Sequence, residues 1–548
     1  MPPHPRLLRR ARRIVLSLAV ATAALTPLSA RADQPSRPAG GPVLVRTENG
    51  WVRGETTTEG RQFLGISYAQ APVGDLRWRA PRPAAKWKGV KDATRYGNYC
   101  AQNTYWAPGY DKQHTTEDCL DVNVYAPPPG PGGRHRGKLP VMVWIHGGGN
   151  IGGAGRDIVP DTFARRTHTV VVTLNYRLGA AGFLTLPGTT GNFALLDQQQ
   201  ALRWVRANIG HFGGDRTRVT LAGESAGGSA VCAQLASPGS RGLYRAAIIQ
   251  SGVFGDCAGA TRKKAVADGI AFAAKLGCTE PAGAADCLRA KPTKEILDAQ
   301  RGTGPDLWRT TVGGRELPLQ PADAFASGHA ARVPVMNGAN SKEGLVFAYD
   351  SFDRWGTPLS ADTYPKALTS TFGEETGTRA LDRYPLGAYD RPGYAYAAAF
   401  GDHLFACPAL RINPRLAERG AVYAYEFADR TSPWFASLPQ HSDFNFGATH
   451  AAELNYLFKP YGRSADLNTE QHTLSAQMTA YWGSFLHGSP PHAKGQEAMP
   501  EQGFRPGRVL QLRTASAGGN AATTTLRAEH HCGLWDAAPD AVRLRGTP

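Results

Sequence analysis

Short apolar runs separated by segments of helical period dominate the middle of the chain. Residues 141–145 and 170–174 are nearly continuous apolar runs, of the kind that fill a sheet covered on both faces. Residues 195–209 place Leu195, Leu202, Val205 and Ile209 on one helical face. Strands follow at 219–222 and 246–250, with a helix packed through small residues predicted over 226–235. Residues 333–337 and 422–427 read as later strands. This alternation predicts an α/β sheet with helices on both faces. Upstream, residues 43–55 predict a hairpin with Asn49-Gly50 at its turn. Residues 258–330 and 345–420 have a helical, irregular pattern that predicts insertions capping one end of the sheet. The Pro/Gly-rich breaks at 127–133 and 237–239 predict surface loops. No internal repeat is present, so the pattern predicts one domain over 42–545 with large excursions.

The ends change this picture. Arg6, Arg9, Arg10, Arg12 and Arg13 precede an apolar stretch at 14–25 and a small-x-small site at Ala30-Arg31-Ala32. Residues 1–32 therefore predict a secretory signal peptide, and 33–41 a flexible polar leader. A spanning helix would need about 20 apolar residues, so no membrane insertion is expected after cleavage. Arg12-Arg13 leaves both the Sec and the twin-arginine export routes open. The net charge of +16 includes six arginines and no acids in residues 1–32, leaving +10 for the rest. That charge is dispersed, with no basic run or interleaved aromatics, which argues against a nucleic-acid groove. Eight cysteines in an exported chain favour disulfides. With no C-x-x-C pair and no H-E-x-x-H, no metal or other cofactor is expected. Nothing in the sequence speaks to oligomeric state.

The chemistry concentrates at Gly223-Glu224-Ser225-Ala226-Gly227, between a predicted strand and a predicted helix. A serine on such a turn points its hydroxyl out of the sheet, and flanking glycines let the strained turn form. Immediately after the first core strand stands His146-Gly147-Gly148-Gly149. Backbone amides of this loop, with that of Ala226, are suited to hold the oxyanion of a tetrahedral acyl intermediate. A serine nucleophile also needs a base, and the base an orienting acid. Many acids and several histidines follow Ser225, so chain order alone leaves both roles open.

Further segments resemble the type-B carboxylesterase family, which includes cholinesterases and bacterial para-nitrobenzyl esterases. They include Phe63-Leu64-Gly65-Ile66-Ser67-Tyr68-Ala69, Glu117-Asp118-Cys119-Leu120, Asn175-Tyr176-Arg177-Leu178-Gly179 and Phe212-Gly213-Gly214-Asp215. Gly191 to Gln198 is another, and the resemblance runs from about Gly41 to Trp535. It implies the α/β-hydrolase fold, with helical insertions forming an active-site gorge. Asn340-Ser341-Lys342-Glu343-Gly344 resembles the family's acid segment and makes Glu343 the acid. Residues 447–454 resemble its histidine segment and make His450 the base, with His441 as local competitor. Gly148, Gly149 and Ala226 match the oxyanion-hole positions; Asn150 departs from the aromatic residue usual after the third glycine.

The resemblance further implies disulfides Cys100–Cys119, Cys278–Cys287 and Cys407–Cys532. Closing the first loop contributes about 3 kcal/mol in a chain-entropy model. Cys232 is expected as a buried free thiol in the helix after the serine, and Cys257 has no evident partner. Trp106 is expected to pack in the gorge wall, and Arg77–Glu117 and Arg177–Asp197 to form structural ion pairs. Glu224 is expected to point away from the serine hydroxyl as a hydrogen-bonded support. The implied activity is that of a secreted serine carboxylic-ester hydrolase, acting through an acyl-enzyme on small to medium small-molecule esters. The alternatives are a lipase of the same family acting on longer-chain acylglycerols, which the short polar loop at 100–119 disfavours, and a non-enzymatic adhesion or scaffold member.

Overall fold

A thirteen-stranded sheet runs through the computed structural model, which describes residues 41–103, 115–128, 137–435 and 443–538. In chain order its strands are β1 Pro42–Thr47, β2 Gly50–Thr57, β3 Gly60–Ser67, β4 Val90–Asp92, β5 Asp121–Ala126, β6 Leu139–Ile145 and β7 Val170–Leu174. They continue as β8 Gly214–Glu224, β9 Ala246–Gln250, β10 Val335–Asn340, β11 Val422–Phe427, β12 Val509–Leu512 and β13 Ala521–Thr523. The spatial order is β1-β2-β3-β5-β7-β6-β8-β9-β10-β11-β12-β13, with β4 on the side of β2. From β7 through β12 every neighbouring pair is parallel, and antiparallel strands extend both flanks. This is the expected mostly parallel α/β sheet. The predicted signal peptide, Trp106 and His441 lie outside the described residues. All described residues belong to one compact unit.

The central strands form because both of their faces are buried. Val141, Met142, Val143 and Ile145 in β6 are completely inaccessible, as are Val170, Val171, Val172 and Leu174 in β7. Each such side chain contributes about 1.5–3 kcal/mol by leaving water. β10 starts two residues later than its apolar pattern predicts, since Pro334 has no amide to give to the ladder. The first hairpin also turns one residue early. Its loop is Glu48-Asn49, with the Thr47 hydroxyl accepting from the Asn49 amide.

Helices cover the sheet and build the insertions. Those bearing on the site are α1 Phe193–Asn208, α2 Ala226–Ala236, α3 Leu345–Ser351, α4 Pro392–Gly401, α5 Cys407–Ala417, α6 Thr469–His487 and α7 Cys532–Asp536. Helix α6 starts at a capping box between Asn468 and Gln471 and packs Met478, Tyr481 and Trp482 into one core with Trp144 and Ile248. Helices α3 to α5 form a separate aromatic core with Tyr384, Phe405 and Trp535. A single π-helical turn, Asp402–Ala406, links α4 to α5.

Disulfides join Cys100 to Cys119, Cys278 to Cys287 and Cys407 to Cys532. A fourth joins Cys232 to Cys257, so Cys232 is not a free thiol. No spacing signal relates a cysteine on a helix to one on an irregular turn 25 residues later. Arg177 grips Asp197 through two hydrogen bonds, and Arg77 pairs with Glu117 while donating to the carbonyl of Lys291. No described helix is long and apolar enough to cross a membrane.

The tail is tied back by a buried charge cluster. His530 Nδ1 faces Asp402 at 2.5 Å and its Nε2 faces Glu426 at 2.6 Å. With an acceptor at each ring nitrogen both must carry protons, and the two carboxylates raise the His530 pKa against the opposing effect of burial. His530→Ala would leave two buried carboxylates without their cation. The expected cost is about 3–5 kcal/mol, read from denaturant unfolding.

Candidate active site

Strand β8 ends at Glu224 and helix α2 begins at Ala226, leaving Ser225 alone on the turn between them. Its backbone is left-handed, at φ 57° and ψ −127°, a strained conformation for a residue with a β-carbon. The Ser225 amide donates to the carbonyl of Gln250, which anchors the turn to β9. The helix start packs directly on the end of β6. A β-carbon at Gly227 would lie 2.1 Å from the carbonyl oxygen of Ile145, so no larger residue fits there.

The loop after β6 faces this turn. Gly148 has φ 99°, and among the described residues none of the amides of Gly148, Gly149 and Ala226 donates a hydrogen bond. Asn150 lines the cavity where the family usually has an aromatic residue, and its amide is tied to the wall. Its Nδ2 donates to the carbonyl of Trp308, and its own carbonyl accepts from the Gly179 amide. His146 is buried and stacked on Tyr176, and burial lowers its pKa to about 4. It is therefore a neutral structural ring.

The acid and histidine segments meet at the ends of β10 and β11. His450 Nδ1 lies 2.7 Å from Glu343 Oε2, while Glu343 Oε1 accepts from the Asn340 amide at 2.7 Å. Backbone bonds fix the two loops together: the Lys342 amide donates to Ala448, and the His450 amide to Glu343. Behind them, Glu453 accepts from Asn340 Nδ2 and from Gln250 Nε2, joining the histidine segment to β9 and β10. The rings of Phe347 and Phe405 flank that of His450, with centroids 5.2 and 4.7 Å away. Ser225, His450, Gly148, Gly149 and Ala226 all line one cavity of about 910 Å³. No hydrogen bond joins Ser225 to His450 among the described residues; His450 Nε2 has no hydrogen-bond partner. Such contacts often tighten only when substrate is bound.

Glu224 departs from expectation. Strand alternation would turn it away from Ser225, but the left-handed serine breaks the alternation, and both residues line the cavity. Glu224 Oε1 lies 3.2 Å from His450 Nε2 and accepts no hydrogen bond, so it is not the hydrogen-bonded support expected. Burial raises the Glu224 pKa to about 8. Burial works to lower that of His450, but the carboxylates of Glu224 and Glu343 outweigh it and raise the value to about 9. If His450 is to take a proton it must first be deprotonated, so activity that depends on it should climb as pH rises through its pKa. Glu224→Gln removes one of the carboxylates and should move the acidic limb of the kcat/KM profile to lower pH. An unmoved limb would separate Glu224 from the titration of His450.

Glu224 is legible in the serine pentapeptide only as a support residue, and Glu453, Gln250 and the two phenylalanines are not named as site residues by the sequence. Of the last four, Glu453 alone carries a signal, through its place in the histidine segment. Among the described residues, no group of three or more His, Cys, Asp or Glu is placed to hold a metal ion.

Residues 42–535 match the model of the carboxylesterase family. The para-nitrobenzyl esterase of Bacillus subtilis strain 168 is 33% identical over 469 residues, covering 82% of this chain and 90% of that protein. The fumonisin B1 esterase of Sphingopyxis macrogoltabida is 34% identical over 489 residues, covering 85% and 84%. Among solved structures, a thermophilic PNB esterase superposes with a TM-score of 0.73 at 30% identity, over 90% of this chain and 99% of that one.

Proposed function

This chain belongs to the carboxylesterase family and is a serine carboxylic-ester hydrolase, and from that premise we propose that it cleaves small to medium esters through an acyl-enzyme on Ser225. His450 is the proposed base and Glu343 the acid that orients it. The observation that carries this reading is the 2.7 Å contact of Glu343 with His450 Nδ1, in a cavity that Ser225 shares. Held by Glu343, the ring keeps its Nδ1 proton and turns Nε2 into the cavity as acceptor. Ser225 Oγ attacks the ester carbonyl carbon as its proton passes to Nε2. The carbonyl oxygen takes the negative charge among the amides of Gly148, Gly149 and Ala226, where each donor is worth roughly 3 kcal/mol. As the tetrahedral intermediate collapses, the bond to the alcohol oxygen breaks and His450 returns the proton to that oxygen. Water then repeats the sequence on the acyl-enzyme, releasing the acid and restoring Ser225.

A cavity of about 910 Å³ suits a substrate the size of a typical small organic molecule. Its aromatic wall, with Phe347, Phe400 and Phe405, favours an apolar substituent and also supports the lipase reading. Four disulfides, together with the basic and apolar leader, support export as the setting of the reaction. Hydrolysis of p-nitrophenyl esters of graded acyl length tests the reading. Smooth saturation on short, soluble esters is expected; a rate that jumps only when long-chain substrate forms an emulsion would favour the lipase.

A further inference from the structure

The Cys232–Cys257 bridge lies at the active-site cavity. Cys232 is on α2, the helix that starts from Ser225, and Cys257 lines the cavity. Cys257 ends a short turn, Phe254–Cys257, whose backbone is left-handed at three consecutive residues: Gly255 (φ 47°), Asp256 (φ 58°) and Cys257 (φ 63°). Two of these carry a β-carbon, so the turn persists only if its surroundings impose it.

It is held from two sides. The disulfide ties Cys257 to the nucleophile helix, and Asp256 is ion-paired with Arg411 of α5 at 2.8 Å. Arg411 also reaches Asp536 of α7 at 2.7 Å. The turn presents Phe254 to the cavity, edge-on to Phe405 at 5.0 Å, and Phe405 in turn flanks the ring of His450.

We propose that the Cys232–Cys257 bridge, with the left-handed turn it closes, determines acyl-chain specificity by holding Phe254 and Cys257 as a fixed wall of the cavity. This rests on Ser225 being the nucleophile. The alcohol must leave on the side where His450 can protonate it, so the acyl group lies over α2. There Ser229 and Ala230 line the cavity together with Cys257 and Ala258. A wall pinned both to the nucleophile's own helix and to α5 cannot yield to a longer chain without giving up the bridge or the ion pair.

The test compares kcat/KM for p-nitrophenyl octanoate and acetate in wild type, Phe254→Ala, Cys232→Ala/Cys257→Ala and Arg411→Gln. The alcohol is constant, so a shift in the ratio belongs to the acyl side. Phe254→Ala should raise the octanoate-to-acetate ratio about tenfold, the scale on which a pocket discriminates small changes in apolar bulk. The double cysteine variant and Arg411→Gln, which frees the turn from its other side, should move it in the same direction. If the cysteine variant does not fold, Phe254→Ala and Arg411→Gln decide. A purely structural bridge would lower thermal stability and leave the ratio at its wild-type value in the folded variants, which overturns the proposal. Ser225→Ala in the same assay keeps the two ideas apart. Full activity there sinks the nucleophile assignment, whereas an inactive Ser225→Ala with unmoved ratios sinks only the wall.

Discussion

Ser225→Ala and His450→Ala are each expected to cut kcat for p-nitrophenyl butyrate hydrolysis by about 10⁴- to 10⁶-fold, with the fold intact. In the proposed mechanism the two side chains act as one unit, because a hydroxyl without its base is a poor nucleophile and a base without its hydroxyl has nothing to activate. The double variant should therefore be hardly worse than either single one. A residual rate over water is expected, since the amides of Gly148, Gly149 and Ala226 and the cavity itself remain. Thermal unfolding should be little changed in Ser225→Ala, because the hydroxyl donates no hydrogen bond to a described residue. Independent, multiplicative losses in the double variant would contradict the shared role.

Glu343→Gln is the second large effect, and its cause is donor count. The carboxylate accepts from two donors at once, the Asn340 amide at Oε1 and His450 Nδ1 at Oε2. A glutamine has one oxygen and one NH₂ group, so one of those contacts becomes donor against donor. If the oxygen stays with the Asn340 amide, His450 must take the other tautomer and present a proton to Ser225 when a lone pair is needed. The expected loss in kcat is about 10⁴-fold, and Glu343→Asp should be less damaging because both acceptors survive. Steady-state kinetics of the two variants, with circular dichroism to establish folding, checks this ordering.

The sequence made the centre of the fold legible where a strand is buried on both faces. Residues 170–174, 246–250 and 422–427 appear as strands at those limits, because a continuous apolar run has no other stable environment in a covered sheet. The start of β10 was less legible, since the apolar run crosses Pro334 while the hydrogen-bond ladder cannot. Site features that depend on backbone conformation left no trace in residue pattern. Left-handed Ser225 shares the cavity with Glu224, its neighbour in sequence, and Cys257, at the end of three left-handed residues, meets Cys232. The π-helical turn at Asp402–Ala406 is equally silent. It brings Leu404 and Phe405 to the cavity while Asp402 of the same turn reaches His530. Glu343 and His450 stand out among many acids and histidines through the family resemblance alone; residue patterning does not distinguish them.

The most direct measurement of the central claim is covalent labelling with a p-nitrophenyl alkylphosphonate. A serine nucleophile displaces p-nitrophenolate from such a reagent and stays bonded to the phosphorus. One equivalent of p-nitrophenolate per chain should be released as activity is lost, with the added mass mapping to the peptide that contains Ser225 and no reaction in Ser225→Ala. A label on another residue, or equal labelling of Ser225→Ala, would contradict the assignment of Ser225 as the nucleophile.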